Sequence, residues 1–293
     1  MRVLALPLLL AACTGADPED TDDPGYPVDP DVATWVPEAA PFDQVERVLF
    51  FGDSITAGYG MGQLDNAYTR LLVENSDAWP TFDGNDLTTR YGDLEVLNAS
   101  VSGSQTEDVI DRQIPFVEDQ LGAVLSGPTL VFITIGGNDL TNALVTPGAI
   151  DTVADDIEER MDIITSTLTD PARFPDGVYL LATNVYEPTD GEGQADQCFF
   201  GLDVARVEPV LDDVNARTLA MAQERGFAWV DLRAHFRGHG WNSDDASIAA
   251  YDEADPTLWL QSDCIHPNKR GHHEIRRLFL AAADGLPLPA WIP

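Results

Sequence analysis

The chain has 293 residues, with 50 acidic against 16 basic side chains and a formal net charge of -34. Setting aside an N-terminal leader and linker leaves roughly 250 residues, the size of one α/β domain with one sizeable core. So large a negative charge repels nucleic-acid phosphates and anionic lipid headgroups, which excludes nucleic acid as a partner and says nothing about fold.

Met1-Arg2, the apolar run Val3 to Leu10 and the small residues that follow have the order of a signal peptide over residues 1–12. The run falls short of the about 20 apolar residues that a membrane-spanning helix needs. Leu10-Ala11-Ala12-Cys13 resembles the bacterial lipoprotein signal, which implies lipidation of Cys13. The uncharged Thr14 behind it implies, by the same resemblance, delivery to the outer membrane. The expectation is a secreted, envelope-located monomer that meets the membrane only through its lipid anchor. Residues 13–42 are rich in Asp, Glu and Pro, carry no Lys or Arg and show no period, so they read as a tether that buries no core. Within it, Asp20-Thr21-Asp22-Asp23-Pro24-Gly25 has the start of a calcium loop, but Pro24 stands where an oxygen ligand belongs. The remaining domain runs from 43 to 293.

Short runs rich in Val, Ile and Phe then alternate with helical patterns, and this alternation predicts a parallel sheet with helices on both faces, a three-layer α/β/α fold. Strands are predicted at Arg47 to Phe51, Leu94 to Ala99, Thr129 to Ile135, Val178 to Thr183 and Phe227 to Leu232. Apolar residues at helical spacing (Val153, Ile157, Met161, Ile164, Leu168) predict a helix over Ile150 to Leu168, with others over Val204 to Arg225 and Asn268 to Ala283.

Ligands in open parallel sheets sit beyond the carboxyl ends of the strands. The polar turns there are Gly52-Asp53-Ser54-Ile55-Thr56 after the first strand, Ser100-Val101-Ser102-Gly103-Ser104 after the second, and Gly136-Gly137-Asn138-Asp139 after the third. Before the last helix, Asp263 stands three residues ahead of His266, a spacing that lets a carboxylate orient an imidazole. A serine hydroxyl is a weak nucleophile until a base takes its proton and a third group fixes that base, so Ser54, His266 and Asp263 are the candidates for those roles. Taken singly, Ser54 in a tight turn and Asn138-Asp139 in an Asx-turn also have plain structural readings.

These four blocks, in this order from about Phe51 to Pro267, resemble the SGNH (GDSL-like) hydrolases, with Ile55 where leucine is commoner. The related nucleophile motif Gly-x-Ser-x-Gly does not match Gly52-Asp53-Ser54-Ile55-Thr56. The resemblance implies a serine esterase that needs no cofactor, with Ser54, Asp263 and His266 as its triad. The backbone N–H groups of Ser54 and Gly103 and the side-chain amide of Asn138 would line its oxyanion hole. Asp53 and Asp139 would buttress their turns. The substrate would be a small-molecule, lipid or glycan ester. An acyltransferase or deacetylase on the same triad and a catalytically silent envelope binding protein are the competing readings.

Other features carry less. His272 and His273, adjacent on the last helix, face different ways and read as surface or helix-packing residues. His235 and His239 have the spacing of a metal pair, but glycines flank His239 and no acidic cluster lies close in sequence, so no metal site is expected. Gly58, Gly60 and Gly62 read as a loop, since Gln63 stands where a dinucleotide motif wants its third glycine. Trp241, Tyr251 and Trp259 lie in a long connection ahead of Asp263 and form either an aromatic wall at the site or core packing. With Cys13 lipidated, Cys198 and Cys264 remain as an expected disulfide in an oxidising compartment.

Overall fold

A computed structural model of the chain describes residues 43–62, 66–193 and 204–284. The leader, Cys13, the 13–42 tether and Cys198 lie outside the described residues. In chain order the elements are β1 (Arg47–Gly52), α1 (Ser54–Ala57), α2 (Tyr68–Val73), α3 (Leu87–Tyr91), β2 (Glu95–Asn98) and α4 (Thr106–Asp108). After α4 a π-helical turn at Val109–Gln113 leads into α5 (Ile114–Leu121). Then come β3 (Thr129–Thr134), α6 (Gly137–Val145), α7 (Val153–Leu168), β4 (Val178–Thr183) and α8 (Glu208–Arg225). β5 (Ala228–Val230), α9 (Leu232–Phe236) and α10 (Lys269–Ala283) complete them.

The five strands are parallel and lie side by side as β2-β1-β3-β4-β5. The chain therefore leaves β1 toward one edge, to β2, and returns to build the rest of the sheet on the other side of β1. Between the carboxyl ends of β1 and β3 this reversal opens a crevice. Gly52 pairs with Thr134 in register, so the turns after these two strands are neighbours.

Side chains alternate between the two faces of the sheet, and both faces are covered. Val48, Phe50, Leu130, Phe132 and Leu181 join α2 and α10 in one apolar layer. Leu49, Phe51, Val131, Ile133 and Leu180 join α5, α7 and α8 in the other. Burial on both sides is why β1, β3 and β4 read as unbroken apolar runs rather than alternating ones.

Two helices start later than the pattern suggested, for local reasons. A 3₁₀ turn at Ala149–Asp151 precedes α7, and another at Val204–Arg206 precedes α8, whose first turn holds Pro209. Proline's fixed φ and missing N–H suit a helix's first turn and no later one. Asn268 caps α10 by accepting from the Gly271 N–H at 3.0 Å. α10 is buried all round, which settles the two readings of its histidines in favour of packing. His273 stacks on Trp79 with ring centroids 3.8 Å apart, and Nδ1 of His272 accepts from the Tyr68 N–H at 3.3 Å.

Candidate active site

The site begins where β1 ends. Gly52 has φ +144, and a Cβ there would come closer than 3.0 Å to the Thr134 carbonyl oxygen, so only glycine lets β1 run this close to β3. Gln113, from the π-helical turn, grips both polar groups of that residue. Its Oε1 accepts from the Gly52 N–H at 2.9 Å and its Nε2 donates to the Gly52 carbonyl at 2.7 Å. Asp53 then caps the one-turn helix α1 by accepting from Ile55 N–H at 3.0 Å. This leaves Ser54 as the first residue of α1, largely buried, with its hydroxyl turned toward the crevice.

His266 reaches that hydroxyl from the other end of the chain. Its Nε2 lies 2.7 Å from Ser54 Oγ, and its Nδ1 lies 2.6 Å from Asp263 Oδ2. The second oxygen of Asp263 accepts from the backbone N–H groups of Ile265 and His266, at 3.1 and 3.0 Å. Cys264 takes a left-handed φ of 70 to close the turn between acid and base. The turn is fastened at its base by a Leu260–Pro267 bridge, and the Gln261 N–H donates to the His266 carbonyl at 2.7 Å. The Tyr186 hydroxyl donates to the Ile265 carbonyl. The Tyr59 ring lies against the imidazole, centroids 4.5 Å apart.

Three carboxylates here differ because their surroundings differ. Burial pushes Asp263 up, but the hydrogen bonds from the His266 ring and backbone outweigh it and hold the carboxyl below its usual range. Burial raises Asp53 to about 7 despite its bond from Ile55 N–H and the attraction of His266. Asp139 is also raised by burial, against bonds from Thr106 and the charge of Arg160.

Asn138 lies in the first turn of α6. One of its two amide hydrogens is directed at the Ser104 carbonyl, 2.9 Å away, and a primary amide has a second to offer. Asp139 ties the same loop down, accepting from the Thr106 N–H at 3.0 Å and its hydroxyl at 2.7 Å. Gly103, in that loop, is exposed with φ +84 and open space beside it, so its conformation is what calls for glycine. Ser54, Asn138 and His266 share one cavity of about 170 Å³, walled by aliphatic side chains of α6, the segment after β4, and the start of α8.

The aromatic-wall reading does not hold. Trp259 is buried and stacked on His239, with centroids 3.4 Å apart, and Trp241 packs on the core layer of α10. Tyr251 lines a separate polar groove beside α8, α9 and α10. His235 and His239 also lie there. His235 Nε2 is 2.8 Å from the buried Glu274, and burial lowers His239 to about 4. Among the described residues no group of three or more His, Cys, Asp or Glu side chains is arranged to hold a metal ion.

Sequence reasoning missed Gln113, Tyr59 and Tyr186. Gln113 had a signal: it interrupts, with an amide, the buried stripe Val109, Gln113, Val117. Tyr59 and Tyr186 had none, since their partners are more than 70 residues away.

An α/β/α sheet carrying a serine, imidazole and carboxylate in hydrogen-bond contact at its switch point defines a class of hydrolases. The chain belongs to the GDSL-like lipase/acylhydrolase family, whose model matches residues 50–274, and is an ester-hydrolysing enzyme. It is 27% identical over 221 residues to a lipase of Streptomyces rimosus, spanning 69% of this chain and 75% of that protein. A shorter stretch of 94 residues is 33% identical to an arylesterase of Vibrio mimicus, 32% of this chain and 38% of that one. The crystal structure of an extracellular lipase from Streptomyces rimosus superposes with a TM-score of 0.53 at 20% identity, covering 82% of this chain and 99% of that chain.

Proposed function

We propose that the enzyme cleaves carboxylic esters through an acyl-enzyme, with Ser54 as nucleophile, His266 as general base and Asp263 as the group that orients it. The observation that carries this reading is the unbroken line of hydrogen bonds from Asp263 Oδ2 through the imidazole to Ser54 Oγ. As Ser54 Oγ bonds to the carbonyl carbon, its proton passes to His266 Nε2, and the imidazolium formed is stabilised by the ionised Asp263. Negative charge grows on the carbonyl oxygen, where the N–H groups of Ser54 and Gly103 and the free amide hydrogen of Asn138 are the donors in this reading. Collapse expels the alcohol, which takes the proton from Nε2. Water then enters and gives a proton to the same nitrogen as its oxygen bonds to the acyl carbon. The bond from that carbon to Ser54 Oγ breaks as the proton passes to Oγ, releasing the acid and restoring the serine.

The test is labelling by a fluorophosphonate, read by peptide mapping, together with Ser54→Ala. We expect the label on Ser54 and a fall in kcat of about 10⁴- to 10⁶-fold in the folded variant. A variant that retains esterase activity refutes the assignment. The reading extends to the cell envelope: a signal peptide over residues 1–12, lipidation at Cys13, and a Cys198–Cys264 disulfide that clamps the turn between Asp263 and His266. Mass spectrometry of the mature, unreduced protein reads all three at once.

A further inference from the structure

The cavity beside Ser54 and Asn138 is lined by apolar side chains from three segments: Leu140 and Leu144 of α6, Val185 after β4, and Val207 and Leu211 at the start of α8. Several polar side chains in its lining are engaged with other partners. Asn184 donates to Asp231 at 2.7 Å and accepts from the Arg233 N–H at 2.9 Å. The Glu187 carboxylate accepts from the N–H groups of Thr189 and Gly191, at 2.6 and 2.8 Å, and the Thr141 hydroxyl donates to the Gly137 carbonyl at 2.9 Å. A sugar or a charged group entering this space would lose water and find aliphatic carbon, which costs free energy without compensation. A hydrocarbon chain would gain.

The chemistry fixes which half of an ester enters. The leaving alcohol must take a proton from His266 Nε2, so it departs at the mouth, where the half-exposed Tyr59 and Ile265 flank the imidazole. With its carbonyl oxygen at Asn138, the acyl group is the half that lies in the apolar cavity. At about 170 Å³ the cavity is far larger than the roughly 10–15 Å³ that one water needs, and that finite volume sets the limit on chain length.

We infer that the enzyme is selective for a linear aliphatic acyl group of medium length, about six to eight carbons, held between α6 and the start of α8. This rests on the serine-esterase reading above. Each methylene buried from water improves binding about fourfold, equivalent to about 0.8 kcal/mol. Specificity is therefore a rise with chain length followed by a limit.

The test uses p-nitrophenyl esters from acetate to palmitate with the full chain, alongside fluorophosphonate labelling. We expect kcat/KM to rise at least tenfold from acetyl to hexanoyl or octanoyl and to fall again by dodecanoyl. Leu144 is only partly buried, so Leu144→Trp fills the cavity without crowding the core and should move the optimum to acetyl or butyryl. Leu144→Ala should move it toward longer chains, which keeps the idea testable if the larger residue misfolds. Labelling at Ser54 with a profile that is flat, or highest for acetyl, overturns the inference and leaves the serine mechanism standing. No labelling at Ser54 overturns the mechanism itself.

Discussion

Replacing Gly52 by alanine tests how the turn that carries Ser54, the proposed nucleophile, is held. The new Cβ would sit at φ +144, a region that L residues rarely enter, at a cost of about 1–3 kcal/mol. It would also press on a backbone carbonyl, that of Thr134, which cannot rotate away, and such overpacking costs about 1–3 kcal/mol. Gly226, which ends α8 at φ +78 with no atom within 4 Å of its Cβ position, supplies the control. Gly226→Ala carries backbone strain alone, about 1–2 kcal/mol. At about 2–4 °C per kcal/mol, midpoint costs of about 4 and 1.5 kcal/mol lower the melting temperature by about 8–16 °C and 3–6 °C. Any relief at Gly52 must displace the turn that carries Ser54, so kcat/KM falls on the order of 10²-fold at temperatures where the protein stays folded. Gly226→Ala keeps its activity. Circular-dichroism melts and ester hydrolysis read both quantities. If Gly52→Ala melts no lower than Gly226→Ala and keeps its turnover, the close approach of β1 and β3 does not position Ser54.

On the proposed mechanism Asn138→Ala removes one oxyanion donor of three and should lower kcat by about 10²- to 10³-fold with a small change in KM, as steady-state kinetics will read. A loss as large as that of Ser54→Ala, with a lowered melting temperature, would mean that its bond to Ser104 is its only role. Asp53, raised to about 7 in the fold against about 4 in the unfolded chain, gives a stability contribution that is complete below pH 4 and is lost as pH rises through 7. Asp53→Asn never ionises and still accepts from Ile55, so its melting temperature relative to the parent should climb between pH 4 and 7; parallel curves would contradict the buried, protonated acid. Tyr186→Phe leaves the Ile265 carbonyl without its donor, which should cost about 1–3 kcal/mol of stability and slow turnover more than it weakens substrate binding. Unchanged kcat would show that the Asp263–His266 turn holds itself.

The parts of this molecule that could be read from the sequence are those whose physics is local. Runs such as Thr129–Thr134 are buried on both faces, so apolarity alone marked β3, and the polar turns beyond β1 and β3 followed from strand ends. Asp263 and His266 are three residues apart and could be paired on spacing. β2 and β5 are shorter than the apolar runs that predict them because they are the sheet's edges, where pairing on one side only stops before the run does. α10 was harder. Its Lys269-Arg270-Gly271-His272-His273-Glu274 start looks solvated, yet Glu274 is wholly buried with Arg270, Arg277 and His235 around it. Partners supplied from distant segments neutralise that burial, and nothing in the helix's own sequence announces them. The shape of the cavity at Ser54 is of the same kind, since α6, α8 and the segment after β4 each give one wall.

Ser54 and His266 are separated by 212 positions, and α10, buried all round, begins just after the histidine. On the proposed mechanism a chain under synthesis therefore carries its nucleophile for most of its elongation with no base to activate it. The imidazole sits just ahead of α10, which packs against α2 and the sheet, so on this mechanism activity waits for that helix to be seated, much as a zymogen waits for cleavage. Hydrolysis of a chromogenic ester during refolding would then report the seating of α10 rather than the formation of the sheet.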